Sequence, residues 1–268
     1  MRLDVLAVGA HPDDAELGCG GTVALLARAG RRVGILHLTR GEAGTRGTAE
    51  ERRAEAEAAA AALGAAGPWF LDCGDGHLRG GRAEEDALIE LLRRLRPELV
   101  LGPTPSDRHP DHGRAHRLVA DACFYAGLAA RGLSGAAASL APHRPAAVFS
   151  YMQHDPFEPS FVVDVTAAWE AKQRALDCYR SQLHPGERST ELRDGGGAGA
   201  RETPPGEDAR EAPRTKVGSR DFRLAVEGRA RHFGLMIGAE LGEPFWSRLP
   251  LAVGGAGTLL GLAPGGLR

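Results

Sequence analysis

The sequence predicts an α/β protein: a doubly wound, mainly parallel sheet with helices on both faces, followed by further strands and helices. Three observations carry this prediction. Short apolar runs alternate with helix-length segments as far as Tyr125. Each run ends in a loop rich in Gly, Asp or His, and the next run follows only after a segment long enough for a crossover helix. The loops after the first and fourth runs hold the chemistry-bearing residues. In a sheet of order 3-2-1-4 those two strands are neighbours, at the point where the order reverses and ligands bind.

Residues 3–8 are apolar and read as the first, buried strand, closed by Gly9. Ala10-His11-Pro12-Asp13-Asp14-Ala15-Glu16 follows. Gly18, Gly20 and Gly21 permit close backbone packing before a helix over 22–29, with Gly30 as its cap. Residues 33–38 are the second strand and 39–48 a loop. Thr48-Ala49-Glu50-Glu51 forms a capping box for a helix reaching about Leu63. Residues 69–71 are a short third strand, and Asp72-Cys73-Gly74-Asp75-Gly76 a loop at its end. An amphipathic helix covers 83–95 and stops before Pro97. Residues 99–101 are the fourth strand, Arg108-His109-Pro110-Asp111-His112 the loop after it, and 114–125 a helix. Beyond 130 the pattern changes. Strands are expected over 146–151 and 161–165, a helix capped by Thr166 and running to Ser181, and another over 221–239. The chain reads as a single domain over 1–251, with a flexible Gly/Pro-rich insertion at 186–217 and a loose Gly-rich tail at 252–268.

The net charge of −2 over 268 residues gives no reason to expect nucleic acid or an anionic membrane as partner. The four cysteines, Cys19, Cys73, Cys123 and Cys178, form no CxxC pair, which argues against a disulfide scaffold or a thiolate metal site. The N-terminal apolar run is too short for a signal peptide, and no run approaches a membrane span, so a cytoplasmic location is expected. No G-x-G-x-x-G follows the first strand, which argues against a nicotinamide cofactor.

The two switch-point loops bring histidines and carboxylates together, the usual ligands of a catalytic zinc, which needs only three protein ligands. His11 and Asp14 lie three positions apart on a loop stiffened by Pro12. His112 is the third expected ligand, from across the crevice. Asp13 is the expected general base, acting on water that the metal acidifies. His109 is expected at the developing oxyanion, with Asp111 accepting its proton and favouring its charged form. Arg52, Arg108 and Arg46 are candidate substrate contacts, because guanidinium forks suit carboxylates and phosphates. Glu16 has two readings, a charge favouring the helix N-terminus or a hydrogen bond to a ligand histidine. His116, one helical turn after His112, reads as a core residue or a support to a ligand rather than a ligand itself. Cys19 reads as a small packing residue near the site, and His37 as an ordinary surface or core histidine.

The pair Ala10-His11-Pro12-Asp13-Asp14-Ala15-Glu16 and His109-Pro110-Asp111-His112 resembles the PIG-L/LmbE-like family of zinc-dependent N-acetylglucosamine deacetylases. Further segments are similar to one branch, the bacillithiol-biosynthesis deacetylases acting on N-acetylglucosaminyl-malate. They are Gly47-Thr48-Ala49-Glu50-Glu51-Arg52, Asp107-Arg108-His109-Pro110-Asp111-His112, Tyr151-Met152-Gln153-His154, residues 159–164, Tyr179-Arg180-Ser181-Gln182-Leu183 and residues 228–234. The resemblance implies a Rossmann-like sheet, the ligands and base already named, and a small amino-sugar substrate. It also implies Zn2+ as the metal, with Fe2+ or another divalent ion as the rival, and a homo-oligomer, often a hexamer. Malate would explain arginines near the site. The alternatives are another N-acyl sugar, of mycothiol-precursor or diacetylchitobiose type, and a metal- or sugar-binding protein without turnover.

Overall fold

The computed structural model describes residues 1–183 and 217–252. Its elements in chain order are β1 (Val5–Gly9), α1 (Asp14–Arg28), β2 (Val33–His37), α2 (Ala49–Leu63), β3 (Ala66–Phe70), α3 (Arg82–Leu95), β4 (Leu99–Gly102), α4 (Pro110–Ala126), β5 (Ala147–Tyr151), β6 (Phe161–Asp164), α5 (Trp169–Cys178), α6 (Arg180–Leu183), α7 (Arg220–Met236) and β7 (Gly242–Trp246). The strands form one sheet in the order β3-β2-β1-β4-β5-β7-β6. The first five run parallel, and β7 lies antiparallel between β5 and β6. The predicted doubly wound topology is what forms, with the reversal between β1 and β4.

The parallel strands are apolar on both faces because each face is covered. One apolar cluster joins β1 and β2 side chains such as Val5 and Ile35 to α1, α2 and α5. The other joins Leu6, Leu36 and Val100 to α3 and α4. Thr48 opens α2 with the predicted capping box: its hydroxyl accepts from Glu51 N at 3.1 Å, and Glu51 Oε2 accepts from Thr48 N at 2.7 Å.

Several boundaries differ from the sequence reading. Helix α1 begins at Asp14, not Thr22, so the glycines lie inside it. It breaks at Cys19 (φ −142°, ψ 20°). There the buried Glu243 carboxylate of β7 accepts from Gly21 N at 2.9 Å, Thr22 N at 2.8 Å and Thr22 Oγ1 at 2.7 Å, giving the second half its own acidic cap. Lys172 Nζ neutralises Glu243 at 2.7 Å and also donates to the Leu17 carbonyl. Gly18 is required by proximity: a Cβ there would fall 2.1 Å from Tyr151 Cδ2. That close approach lets Tyr151 donate to the Val8 carbonyl and brace the end of β1.

Helix α4 starts at Pro110, with proline in its first turn, so Asp111 and His112 are helical rather than loop residues. The helix expected over 166–181 is divided into a 3-10 turn at Thr166–Ala168, α5 and α6. Strand β7, Gly-Glu-Pro-Phe-Trp, carries no alternating signal and holds a proline, so the sequence alone does not announce it. The cysteines are free. Among the described residues no helix is long and apolar enough to cross a membrane. The predicted insertion and tail lie outside the described residues, except Val217 and Ala252.

Candidate active site

The loop after β1 is fixed from below. The Ala10 carbonyl accepts from Thr39 Oγ1 at 2.9 Å and from Thr39 N at 3.1 Å, and the His11 carbonyl faces His37 Nδ1 at 3.2 Å. Asp13 sits at φ 107°, a conformation non-glycine residues rarely adopt, and this turns the chain sharply into α1. Asp14 Oδ2 accepts from His11 N at 2.8 Å, which folds both side chains toward one point. His109, the N-cap of α4, and His112 in its first turn stand across the β1/β4 crevice. The His109 ring meets His11 edge-on at 4.7 Å between centroids and stacks on His112 at 5.0 Å.

Three of the predicted residues converge. Asp14 Oδ2 lies 3.5 Å from His11 Nδ1, and Asp14 Oδ1 lies 3.2 Å from His112 Nε2. The two Asp14 oxygens thus face the two rings from either side, and the His/Asp cluster here is compatible with a divalent cation. His11, His109 and His112 each offer a nitrogen within 4.8 Å of the others. The donor set is imidazole and carboxylate, which zinc and ferrous iron both accept.

The electrostatics agree with a cation at that point. Burial alone lowers His11, but hydrogen bonds to Asp111, Asp14 and Asp75 outweigh it and hold the imidazole well above its ordinary range. Burial also lowers His112, yet Asp14 and Asp107 push it up to about 9. Asp14 is raised by burial and lowered further by His112 and His11, ending well below the carboxylate range. The carboxylates around the two rings thus demand positive charge, which a divalent ion supplies. Asp13 is raised to about 7, by burial first, with the Arg52 charge opposing.

His109 and Asp111 are arranged differently from expectation. His109 Nδ1 accepts from Asp111 N at 3.2 Å, which leaves its proton on Nε2. The Asp111 carboxylate turns away, to His11 Nε2 at 3.3 Å, Gly76 N at 2.8 Å and Arg114 at 3.2 Å. Burial and the charges of His11 and His112 lower His109, and Asp111 does not reverse this. His109 is therefore a neutral Nε2–H donor rather than an imidazolium paired with Asp111.

The arginines also separate. Arg52 is 4 % exposed, donates to the Pro12 carbonyl and lies 3.4 Å from Asp13 Oδ2. Arg46 is half-buried, and its carbonyl accepts from Gln182 Nε2 at 2.8 Å. Arg108 is exposed, with Nη2 donating to His154 Nε2 at 3.3 Å. A cavity of about 280 Å³ opens at Asp14 and is lined by Leu17, Gln153, His154, Phe222 and Arg229 among others; none of those three arginines lines it.

Sequence reasoning assigned no role to several residues at the site. Gln153 Nε2 donates to Asp14 Oδ1 at 2.7 Å and lies 3.2 Å from His112 Nε2. Asp107 Oδ2 lies 3.4 Å from His112 Nδ1, and Asp75 Oδ1 lies 3.1 Å from His11 Nε2. The available signal was position: Gln153 follows β5, the neighbour of β4, and Asp75 follows β3. Glu16 stands in the first turn of α1, the first of its two expected places, and its carboxylate turns to Tyr179 rather than to a ligand histidine. Fully buried, it accepts from Tyr179 at 2.8 Å and is pushed up to about 8 by that burial. His37 beside it is buried and lowered to about 3 for the same reason.

The comparisons with known proteins agree with this geometry. Residues 6–123 match the family model described as PIG-L, GlcNAc-PI de-N-acetylase. A diacetylchitobiose deacetylase of Thermococcus kodakarensis is 35 % identical over 189 residues, covering 67 % of this chain and 70 % of that one. A 4-oxalmesaconate hydratase of Pseudomonas putida is 32 % identical over 197 residues, covering 67 % and 74 %. Among solved structures, the conserved protein TT1542 of Thermus thermophilus superposes with a TM-score of 0.77 at 35 % identity, covering 94 % and 97 %. With the His/Asp cluster at the β1/β4 crevice, these matches show that the chain belongs to the PIG-L/LmbE-like family of metal-dependent deacetylases acting on N-acetyl amino sugars.

Proposed function

We propose that the protein hydrolyses the acetamide of an N-acetylglucosaminide of diacetylchitobiose or mycothiol-precursor type, with zinc as its metal. The observation that carries this reading is the convergence of His11, Asp14 and His112 with Asp13 beside them. A divalent metal held there acidifies water and polarises the acetyl carbonyl. Asp13 takes the proton from the attacking water and passes it to the departing amine nitrogen as the C–N bond breaks. Its elevated proton affinity suits both halves of that transfer. His109 Nε2–H donates to the oxygen of the tetrahedral carbon. Acetate and a free amino sugar result.

N-acetylglucosaminyl-malate is the second reading. Its two carboxylates call for basic groups at the cavity. Of the three arginines considered for that task, Arg52 is committed to Asp13 and Arg46 stands off the cavity. Arg108, beside His154, is what favours this reading. The relative named a hydratase supports a further outcome, addition of water to an unsaturated acid. The test compares kcat/KM for diacetylchitobiose, N-acetylglucosaminyl-inositol and N-acetylglucosaminyl-malate by acetate release, with loss of absorbance of an unsaturated dicarboxylate in parallel. A preference of about tenfold or more for a neutral aglycone supports the first reading. Preference for the malate conjugate selects the second, and hydration without acetate release overturns both.

We read residues 1–251 as one domain, which the single sheet supports. The homo-oligomer implied by the resemblance is supported by exposed Phe124 and Leu249 at a groove lined by Trp246. Sedimentation velocity tests it, and a monomer at all concentrations rules it out.

A further inference from the structure

His11 has two ring nitrogens in different surroundings. Nδ1 faces Asp14 Oδ2 at 3.5 Å. Nε2 faces Asp75 Oδ1 at 3.1 Å and Asp111 Oδ2 at 3.3 Å. A carboxylate only accepts, so both favour a proton on Nε2; in a neutral imidazole this leaves the Nδ1 lone pair free. We propose that Asp75 is a positioning residue that holds the Nε2–H tautomer of His11, so that Nδ1 is the nitrogen offered to the metal. This rests on reading His11 as a metal ligand.

Asp75 is built for such a task. It is buried, and its second oxygen accepts from Ala43 N at 3.0 Å. Its own N–H donates to Glu42 Oε1 at 2.8 Å. Gly76, at φ 72°, turns its N–H onto Asp111 Oδ2 at 2.8 Å. The dipeptide after β3 thus supplies one carboxylate to His11 and fixes the other. Glu42 ties the arrangement to the loop after β2. The rival arrangement is a metal held by His11 Nε2, Asp75 and Asp111 themselves, whose donor atoms also lie within 4.8 Å of one another.

Substitution at Asp75 separates the two. In Asp75→Asn the Ala43 N–H still requires an acceptor, so the amide oxygen turns to it and the NH2 group faces His11. That favours the opposite tautomer and takes the Nδ1 lone pair away. In Asp75→Ala the Asp111 carboxylate still holds Nε2–H. Zinc affinity, measured by competition with a chromophoric chelator, is expected to fall about 10- to 100-fold in Asp75→Asn, and by less in Asp75→Ala. Long-range 1H–15N correlation spectra of the zinc-loaded wild-type protein read the tautomer directly, independently of any variant. Zinc on Nδ1 with a proton on Nε2 is expected. Zinc on Nε2, or an Asp75→Asn affinity within about twofold of wild type, overturns the proposal while leaving the metal reading intact. A wild-type protein that binds no zinc through His11 overturns both.

Discussion

Arg52 lies beneath Asp13, not beside the cavity: its Nη2 donates to the Pro12 carbonyl and stands 3.4 Å from Asp13 Oδ2. Asp13 occupies a backbone conformation whose cost is of order 1–3 kcal/mol for a non-glycine residue. The guanidinium offsets part of that cost by holding the loop and its charge. Gly41 leaves room for it, since a Cβ there would lie 2.7 Å from the Arg52 guanidinium carbon.

Arg52→Ala is therefore expected to lower kcat by on the order of a hundredfold, the scale of a misplaced catalytic group, with KM and metal content little changed. Removing the positive charge also raises the proton affinity of Asp13, so the acid limb of the rate profile moves to higher pH. Steady-state kinetics across pH checks this. A raised KM with kcat retained would make Arg52 a substrate contact instead.

Asp13→Asn is expected to cost roughly 10²–10⁴ in kcat, the usual contribution of a general base, while metal analysis finds the wild-type complement. Retention of activity removes Asp13 as the base. Loss of metal together with activity would place it among the ligands.

The Lys172–Glu243 pair makes a prediction on stability. Both side chains are at most 3 % exposed, and Glu243 caps the broken helix α1. Lys172→Met leaves a buried carboxylate without its counter-charge and is expected to cost ~3–5 kcal/mol in urea unfolding. Thr22→Val removes one hydroxyl donor and is expected to cost about 1 kcal/mol. Equal effects of the two would mean that the pair is not the anchor of the kink.

His116 gives a pH dependence away from the candidate ligands. Its Nδ1 faces the Pro103 carbonyl and Ser150 Oγ at 3.1 Å, and burial lowers its proton affinity. The folded state then binds fewer protons than the unfolded chain as pH falls through the ordinary histidine value of about 6.5, so its contribution to stability is present above that value and lost below it. His116→Gln is expected to lose less stability than wild type between pH 8 and pH 5.5. Denaturant midpoints at the two pH values decide, and parallel losses would contradict the assignment.

Much of the fold was legible because parallel strands buried on both faces leave short apolar runs, and because Thr48 and Pro97 punctuate helices chemically. The start of α1 was not, because glycine is a weak helix former and the close packing expected of Gly18, Gly20 and Gly21 places them ahead of the helix. They lie inside the helix, and their use is tertiary: Tyr151 against Gly18, and Glu243 on Gly21. The two motif loops showed which residues meet at the crevice. They did not show what lies behind each ring, because Asp75 and Gln153 come from other strand ends. Local spacing favours pairing Asp111 with His109, two residues away, whereas the fold brings its carboxylate to His11 across the crevice.

The most direct test of metal-dependent deacetylation is acetate release from an N-acetylglucosaminide by purified protein in three states: metal-loaded, stripped with a chelator, and reloaded with one equivalent of zinc. The geometry at His11, Asp14 and His112 predicts release that is lost on stripping and restored by a single equivalent. Release that survives complete removal of metal would contradict it.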